Sequence, residues 1–375
     1  MLVYDLLCCL VYRRRSSLKR GVGLVYFAVT LNSKGNNSMA KIGLAWVNPA
    51  PLTKPENVVN FAKKCEAMGC DSMWTIDRIA YDNLEPLTIL AAAAGATQRI
   101  RLGTSILLCN TRHPAHLAKI ISTLDFISNG RVTIGLGFGS REPDYKAVEI
   151  PYEHRGTRAV EQVQLMKRLW TEDNVTHRGK FYNVENLSVG PRPVQKPHPP
   201  LWTGGSAEAA LKRAGTWANG FISGSSAIAD FHVTWDKIAS YAAAAGRNPN
   251  DIEKASLAFM AIDDDKAKAV KCVEDYTMRY YGRIRTAVEP VSIVGIADQC
   301  VEKIQYFLSK GLDTLIIGVA DPDPRQLDLF GEKVLPKVKA YEKAPAVFRK
   351  RSAISEESKR KLLVDNTARF YGLSK

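Results

Sequence analysis

The sequence predicts an α/β protein folded as a (β/α)8 barrel, and three observations carry that prediction. Eight short runs rich in β-branched and apolar residues start near 41, 71, 100, 131, 200, 219, 255 and 312. Each is followed by a stretch with the apolar spacing of a helix. The runs lack the apolar–polar alternation of a half-exposed strand, as parallel strands covered on both faces do. An open, doubly wound sheet is the alternative. It would want G-x-G-x-x-G at its first turn, where Gly43 stands alone.

In chain order, strand 41–47 leads to helix 54–68, which Gly69 ends. Strand 71–76 leads to a loop from Asp77 and an alanine-rich helix over 84–97. The third strand starts at Ile100. The helix after it has apolar residues at Leu117, Ile120, Ile121, Leu124 and Ile127, and the fourth strand starts at Arg131. A helix over 156–170 follows. The stretch 171–199 is an excursion with two β-like pieces, Val175–His177 and Phe181–Val184, and a proline cluster at its end, Pro191, Pro193, Pro197 and Pro199, continued by Pro200. Strand 200–203, helix 206–215, strand 219–222 and a helix to about 245 come next. Strand 255–262, helix 264–281, an irregular piece near 282–292, helix 297–309, strand 312–318 and helix 325–339 close the pattern.

The net charge of +14 suggests nucleic acid until it is located. Residues 1–38 carry six basic residues against one acid, and 346–375 carry eight against three, so the long middle is nearly balanced. The charge sits in the two ends and not on the body, which argues against a nucleic-acid surface. Three domain assignments follow: 1–38 an extension, disordered or upstream of a natural start at Met39; 39–345 the barrel; 346–375 a basic tail. The seven cysteines are scattered, with no C-x-x-C and no zinc spacing, which fits a reducing cytoplasm. No apolar run is long enough to suggest a membrane span.

In a parallel barrel the chemistry sits at the carboxyl ends of the strands. Asp77 and Arg78 follow the second strand, as a pair facing the mouth or as a surface ion pair. Thr104, Ser105, Ile106, Asn110, Arg112 and His113 lie at or after the end of the third. Gly137, Gly139, Ser140 and Arg141 follow the fourth; the glycines either ease a strand end or let a planar ring or phosphate approach the main chain. His113 and His116 are three apart, but no acid completes a metal set, and His113-Pro114 reads as the entry to a helix. Gly204, Gly205 and Ser206 join a short strand to a helix, with Ser206 at the N-cap. Backbone N–H groups, the helix dipole and a hydroxyl would then converge on a phosphate, with a contribution from Arg141; a plain cap after a tight turn is the alternative.

Taken together, Arg99-Ile-Arg-Leu-Gly-Thr-Ser-Ile-Leu, Thr111-Arg-His-Pro114, Thr123-Leu-Asp-Phe-Ile-Ser-Asn-Gly-Arg131, Ile134-Gly-Leu-Gly-Phe-Gly139 and Pro200-Leu-Trp-Thr-Gly-Gly-Ser-Ala-Glu-Ala-Ala-Leu211 resemble the bacterial luciferase-like superfamily. The resemblance spans about 41–340. It implies a TIM barrel with an excursion near 171–199 and a cofactor, coenzyme F420 or FMN, over the carboxyl ends of the strands. It implies cofactor contacts at Thr104, Ser105, Ile106, Asn110, Gly137, Gly139, Arg141, Gly204, Gly205 and Ser206, and catalytic candidates at Asp77, Arg78 and His113. Trp74-Thr-Ile-Asp-Arg78 is similar to a Trp-x-x-Asp-His pattern of the deazaflavin-dependent sugar-phosphate dehydrogenases, with Arg78 in place of the histidine. Guanidinium does not deprotonate near neutrality, so Arg78 cannot be the acid–base group. Those relatives also carry a non-proline cis peptide behind the ring, which falls here at Ser105–Ile106. Loop 138–155 and the excursion are the expected substrate walls. The expected function is hydride transfer between F420 and a small organic substrate, in a homodimer. The alternatives are an FMN-dependent monooxygenase acting on paired donors with molecular oxygen, and a non-catalytic flavin-fold protein.

Overall fold

A computed structural model describes residues 40–49, 52–284 and 286–342. The expectations for 1–38 and 346–375 lie outside the described residues. Eight parallel strands close into a barrel: β1 (Lys41–Trp46), β2 (Ser72–Thr75), β3 (Arg101–Leu108), β4 (Val132–Gly137), β7 (Leu201–Gly204), β8 (Gly220–Gly224), β9 (Glu253–Ile262) and β11 (Thr314–Val319), which pairs back to β1. All eight starts agree with the sequence reading to within about two residues. Strands β5 (Val175–Arg178) and β6 (Asn183–Leu187) form a separate antiparallel hairpin. One barrel-edge strand escaped the sequence reading. Strand β10 (Ile293–Gly295) pairs with the end of β9 at Met260–Ile262. Three residues are too few to show a period.

The helices alternate with the strands: α1 (Pro55–Ala67), α2 (Pro86–Ala96), α3 (Pro114–Ile127), α4 (Glu142–Lys146), α5 (Arg155–Thr171), α6 (Glu208–Trp217), α7 (Phe231–Ala244), α8 (Lys266–Tyr281), α9 (Val288–Val291), α10 (Ala297–Leu308), α11 (Arg325–Leu329) and α12 (Leu335–Glu342). The first three open on proline, whose missing N–H costs nothing in a first turn. The expected helix 325–339 is α11 and α12 joined through a π-helical turn, Phe330–Val334. No helix of the described residues is long and apolar enough to cross a membrane.

Two apolar cores follow from the closure. One lies between the barrel and the helices; the other fills the barrel, around Trp74 and Trp202 with ring centroids 5.2 Å apart. Such a pair adds about 0.5–1.5 kcal/mol beyond the area it buries. The amino-terminal end of the barrel is tied by the Thr123–Arg131 motif. Asp125 accepts from the Gln195 N–H and side chain, and Arg131 donates to the carbonyls of Ala94, Thr97, Ile100 and Ser128. That segment is structural, far from the strands' carboxyl ends.

The excursion joins the end of α5 to the start of β7, so it is an αβ connection whose two ends lie at the end of the barrel away from the mouth. Its hairpin folds back along α5. Glu161 accepts from the N–H groups of Lys180, Phe181 and Tyr182. Burial pushes the Glu161 carboxyl up, but those N–H groups and His177 outweigh it and hold it below its ordinary value.

Candidate functional site

A cleft of about 720 Å³ opens at the carboxyl ends of β2, β3, β4, β7, β8 and β9. Of the residues singled out from the sequence, Asp77, Ser105, Ile106, Gly139, Arg141, Gly204, Gly205 and Ser206 line it. Thr104, Gly137, Asn110, Arg78 and His113 do not, and each has another task.

The floor is made by β3. The Ser105–Ile106 peptide bond is cis, as the resemblance implied. The β3–β4 register slips there: Thr104 faces Ile134, while Leu107 faces Leu136, leaving Ser105 and Ile106 opposite a single residue. A bulge of this kind re-aims side chains. Ile106 turns toward the cleft, and the space it needs comes from β4. A Cβ on Gly135 would stand 3.1 Å from Ile106 Cγ2, and one on Gly137 would collide with Ile106 Cδ1. The Gly-x-Gly of β4 thus makes room for the side chain under the cleft. Thr104 closes the bulge by donating from Oγ1 to the Gly135 carbonyl at 2.9 Å. The Ser105 hydroxyl is buried with no partner among the described residues.

The loop after β7 is exposed and uncommitted. Gly205 has φ +120°, open to glycine and strained for other residues. The sequence reading put Ser206 at the N-cap of the next helix. The structure corrects this: Ala207 is the N-cap and Glu208 the first helical residue, because the chain takes one further extended residue before turning. Ser206 therefore caps nothing, and the first turn of α6 has no side-chain cap. Arg213, on the same helix, lies over the Phe138 ring at 4.3 Å, and its buried Nε has no partner among the described residues. The first turn of α5 meets it: a Cβ on Gly156 would stand 3.9 Å from an Arg213 terminal nitrogen. Sequence reasoning missed Arg213, although Ala210 and Arg213, three apart, fall along one face of the helix.

The β2 loop carries charge, but the charge is spent. Asp77 Oδ2 accepts from the Leu108 N–H at 2.9 Å and from Arg112 at 2.7 Å, and Arg112 also donates to Glu85 at 2.8 Å. The Asp77 side chain is 0% exposed. Burial pushes its carboxyl above the ordinary value, against Arg112 and Leu108, which draw it down. Arg78 is bound to Asp144 at 2.8 Å and to the Tyr280 carbonyl at 3.2 Å. Asp144 in turn accepts from the N–H groups of Ile79 and Ala80. Arg78 so fixes Tyr280, which with Tyr281 forms the α8 wall of the cleft.

Asn110 holds the opposite wall from behind, donating to Tyr145 at 3.1 Å and to the Arg155 carbonyl at 2.8 Å. His113 is the N-cap of α3: its Nδ1 accepts from the Ala115 N–H at 3.2 Å, and Pro114 follows at the first helical position. Partial burial, with His116 nearby, holds its pKa below the ordinary value. Of loop 138–155, expected as a substrate wall, the two ends at 138–141 and 154–155 line the cleft. The excursion does not; its Phe181 packs against Arg158 and His154, behind the wall. Among the described residues no group of three side chains is placed to hold a metal ion.

Comparison with known proteins follows the same lines. The family model described as luciferase-like monooxygenase matches residues 25–314. A 5,10-methylenetetrahydromethanopterin reductase of Methanopyrus kandleri is 27% identical over 77% of this chain and 97% of its own length. An F420-dependent glucose-6-phosphate dehydrogenase of Amycolatopsis mediterranei is 27% identical over 76% of this chain and 95% of its own. Among solved structures, the coenzyme F420 dependent tetrahydromethanopterin reductase from Methanopyrus kandleri superposes with a TM-score of 0.67 at 26% identity, covering 80% of this chain and 99% of that one.

Proposed function

The chain belongs to the luciferase-like monooxygenase family of oxidoreductases, and from that premise we propose that it moves a hydride between coenzyme F420 and a small organic substrate. The observation that carries this reading is the set of uncommitted donors in one cleft: Ser105 Oγ on the floor, and the Gly204–Ser206 loop with Arg213 at one side. A ring and a phosphate, held together, would satisfy both. The F420-dependent glucose-6-phosphate dehydrogenase and the coenzyme F420 dependent tetrahydromethanopterin reductase named above support the choice of cofactor.

When bound, the deazaflavin supplies the hydride from a ring carbon. The chain's part is placement. Ile106 would press on the ring face and Ser105 would donate to the ring. Gly204 and Gly205 let the main chain come close to the phosphate, and Ser206, Arg213 and the first turn of α5 would hold it. Asp77, held by Arg112 and the Leu108 N–H, would brace the end of β3 beneath the ring rather than contact it. Arg78 offers no proton at its position, since it stays charged and is bound to Asp144.

The same cradle suits the phosphate of FMN, and the family description favours that second reading. Titration of the purified chain with each cofactor, followed by absorbance and fluorescence, decides between them. Tighter binding of F420 is the expected result. FMN preference, with substrate-dependent oxygen uptake, would replace it by the monooxygenase reading. Binding of neither would leave a non-catalytic barrel.

The reading includes a homodimer. Helix α2 is apolar nearly all round, with Thr88, Ala92 and Gly95 outward, and such a helix calls for a cover. A monomer mass by light scattering would overturn it. Four of the five described cysteines are buried and none is paired, which supports a reducing compartment, the cytoplasm.

A further inference from the structure

Two guanidinium groups line the cleft with no hydrogen-bonded partner among the described residues, and they stand on different walls. Arg213 lies on the α6 side, over Phe138. Arg141 lies on the α8 side, 4.9 Å from the Tyr280 ring centroid and 5.2 Å from that of Tyr281. The other arginines of the mouth are bound: Arg78 to Asp144, Arg112 to Asp77 and Glu85, Arg155 to the Gly139 carbonyl. A phosphate diester carries a single negative charge, which one such cation balances. Arg213 and the Gly204–Ser206 loop already make that site, so Arg141 is left over.

Arg141 also opens onto a second cavity of about 890 Å³, which shares Ser140, Arg141, Ser206, Gly224, Leu257 and Tyr281 with the first. Its walls add hydroxyls at Ser225, Ser226 and Thr277, an aromatic face at Phe259 and a second cation, Arg283. Its acid, Glu142, is paired with Lys146 at 3.1 Å. The cavity therefore presents positive charge and hydroxyl groups against an aromatic wall. A guanidinium stacked on ring faces keeps its N–H edge free for bidentate contact with an oxyanion.

Building on the cofactor reading above, we infer that Arg141 recognises an anionic group of the substrate, a carboxylate or a phosphate monoester, at the junction of the two cavities. The rest of the substrate, polar and hydroxylated, lies toward Ser225 and Thr277. Arg141 is thus a specificity residue for the substrate rather than a holder of the cofactor phosphate.

The test is calorimetric titration of the cofactor-loaded chain with inorganic phosphate and with succinate, in wild type, Arg141→Gln, Arg141→Lys and Arg213→Gln. With the cofactor phosphate in place, a probe anion reads the remaining site. The expected result is binding of at least one probe, weakened about tenfold or more in Arg141→Gln and partly restored in Arg141→Lys, the scale of a lost charge-assisted bond. The cofactor dissociation constant should stay within about twofold in Arg141→Gln and rise about tenfold or more in Arg213→Gln. The tighter probe identifies the anion as phosphate or carboxylate. Wild type that binds neither probe, or an Arg141→Gln that loses cofactor and keeps the probe, overturns the inference. If no cofactor binds, the functional reading fails separately. Arg141 is then read in cofactor-free Arg213→Gln, where adding Arg141→Gln should abolish the remaining probe binding, and unchanged binding overturns the inference.

Discussion

The loops after β2 and β7 stand three strands apart on the same barrel mouth, and they use their polar groups in opposite ways. After β2, Asp77 and Arg78 are each buried in an ion pair, with Arg112 and Asp144, and backbone N–H groups complete both acids. After β7, Gly204–Ser206 is open, the helix behind it lacks a side-chain cap, and Arg213 has a buried nitrogen with no partner among the described residues. Charge at a strand end is therefore a poor guide to what a site binds. Donors that the fold has left unspent are a better one, because a buried or helix-end N–H without an acceptor is costly until a ligand supplies it. The β2 loop should then govern stability and the β7 loop affinity.

The largest effect that separates the two is expected at Arg112→Ala. It leaves Asp77 buried without its cation and should lower unfolding free energy by about 3–5 kcal/mol. Losing Arg112 also raises the Asp77 pKa further, so the deficit should be smaller at pH 5, where the variant can protonate Asp77, than at pH 8. Denaturant curves at the two pH values measure both. A loss under about 1 kcal/mol would mean the pair is no more than a surface bridge.

Ser206→Ala is the converse variant. It should leave stability unchanged and weaken cofactor binding by about 1 kcal/mol, or up to about 3 if the bond is charge-assisted. Equal cofactor affinity would place the phosphate elsewhere and remove the contrast between the loops.

The smallest effect concerns the excursion, which belongs to neither loop but braces the wall between them. Glu161 has its folded pKa held down by the hairpin N–H groups and His177. Its contribution is fully present above its unfolded value of about 4.3 and is lost as pH falls through the lower folded value. Hydrogen exchange at the Phe181 and Tyr182 amides, relative to its intrinsic rate at each pH, should therefore speed up below about pH 4 in wild type. In Glu161→Gln it should be faster already at neutral pH. Identical protection in the two proteins at neutral pH would show that the hairpin is held by packing alone.

The eight barrel strands were legible because each is apolar on both faces and each is followed by a helical period. Strand β10 was hidden by its three-residue length, and the π turn at Phe330–Val334 because one extra residue in a turn barely disturbs apolar spacing. The cleft's floor was partly legible. Ser105, Ile106 and the β4 glycines were found, but their relation was not: the glycines serve Ile106 from the next strand, a contact that no local pattern encodes. Arg213, Tyr280 and Tyr281 were missed because they come from helices and meet the cleft only when the barrel closes.

By itself the sequence determined what depends on neighbours along the chain. That includes the βα alternation, proline at the helix starts, the glycines after β7 and the family resemblance. The tertiary structure alone decided which polar groups are spent. Asp77 and Arg112 are 35 residues apart and Arg78 and Asp144 are 66 apart, so their pairing is set by strand order and closure. The same closure left Ser105, Arg141 and Arg213 without hydrogen-bonded side-chain partners among the described residues. Whether a side chain holds the fold or faces a ligand depends on its partners in space, and hydrogen bonding and desolvation act over a few ångströms regardless of distance along the chain.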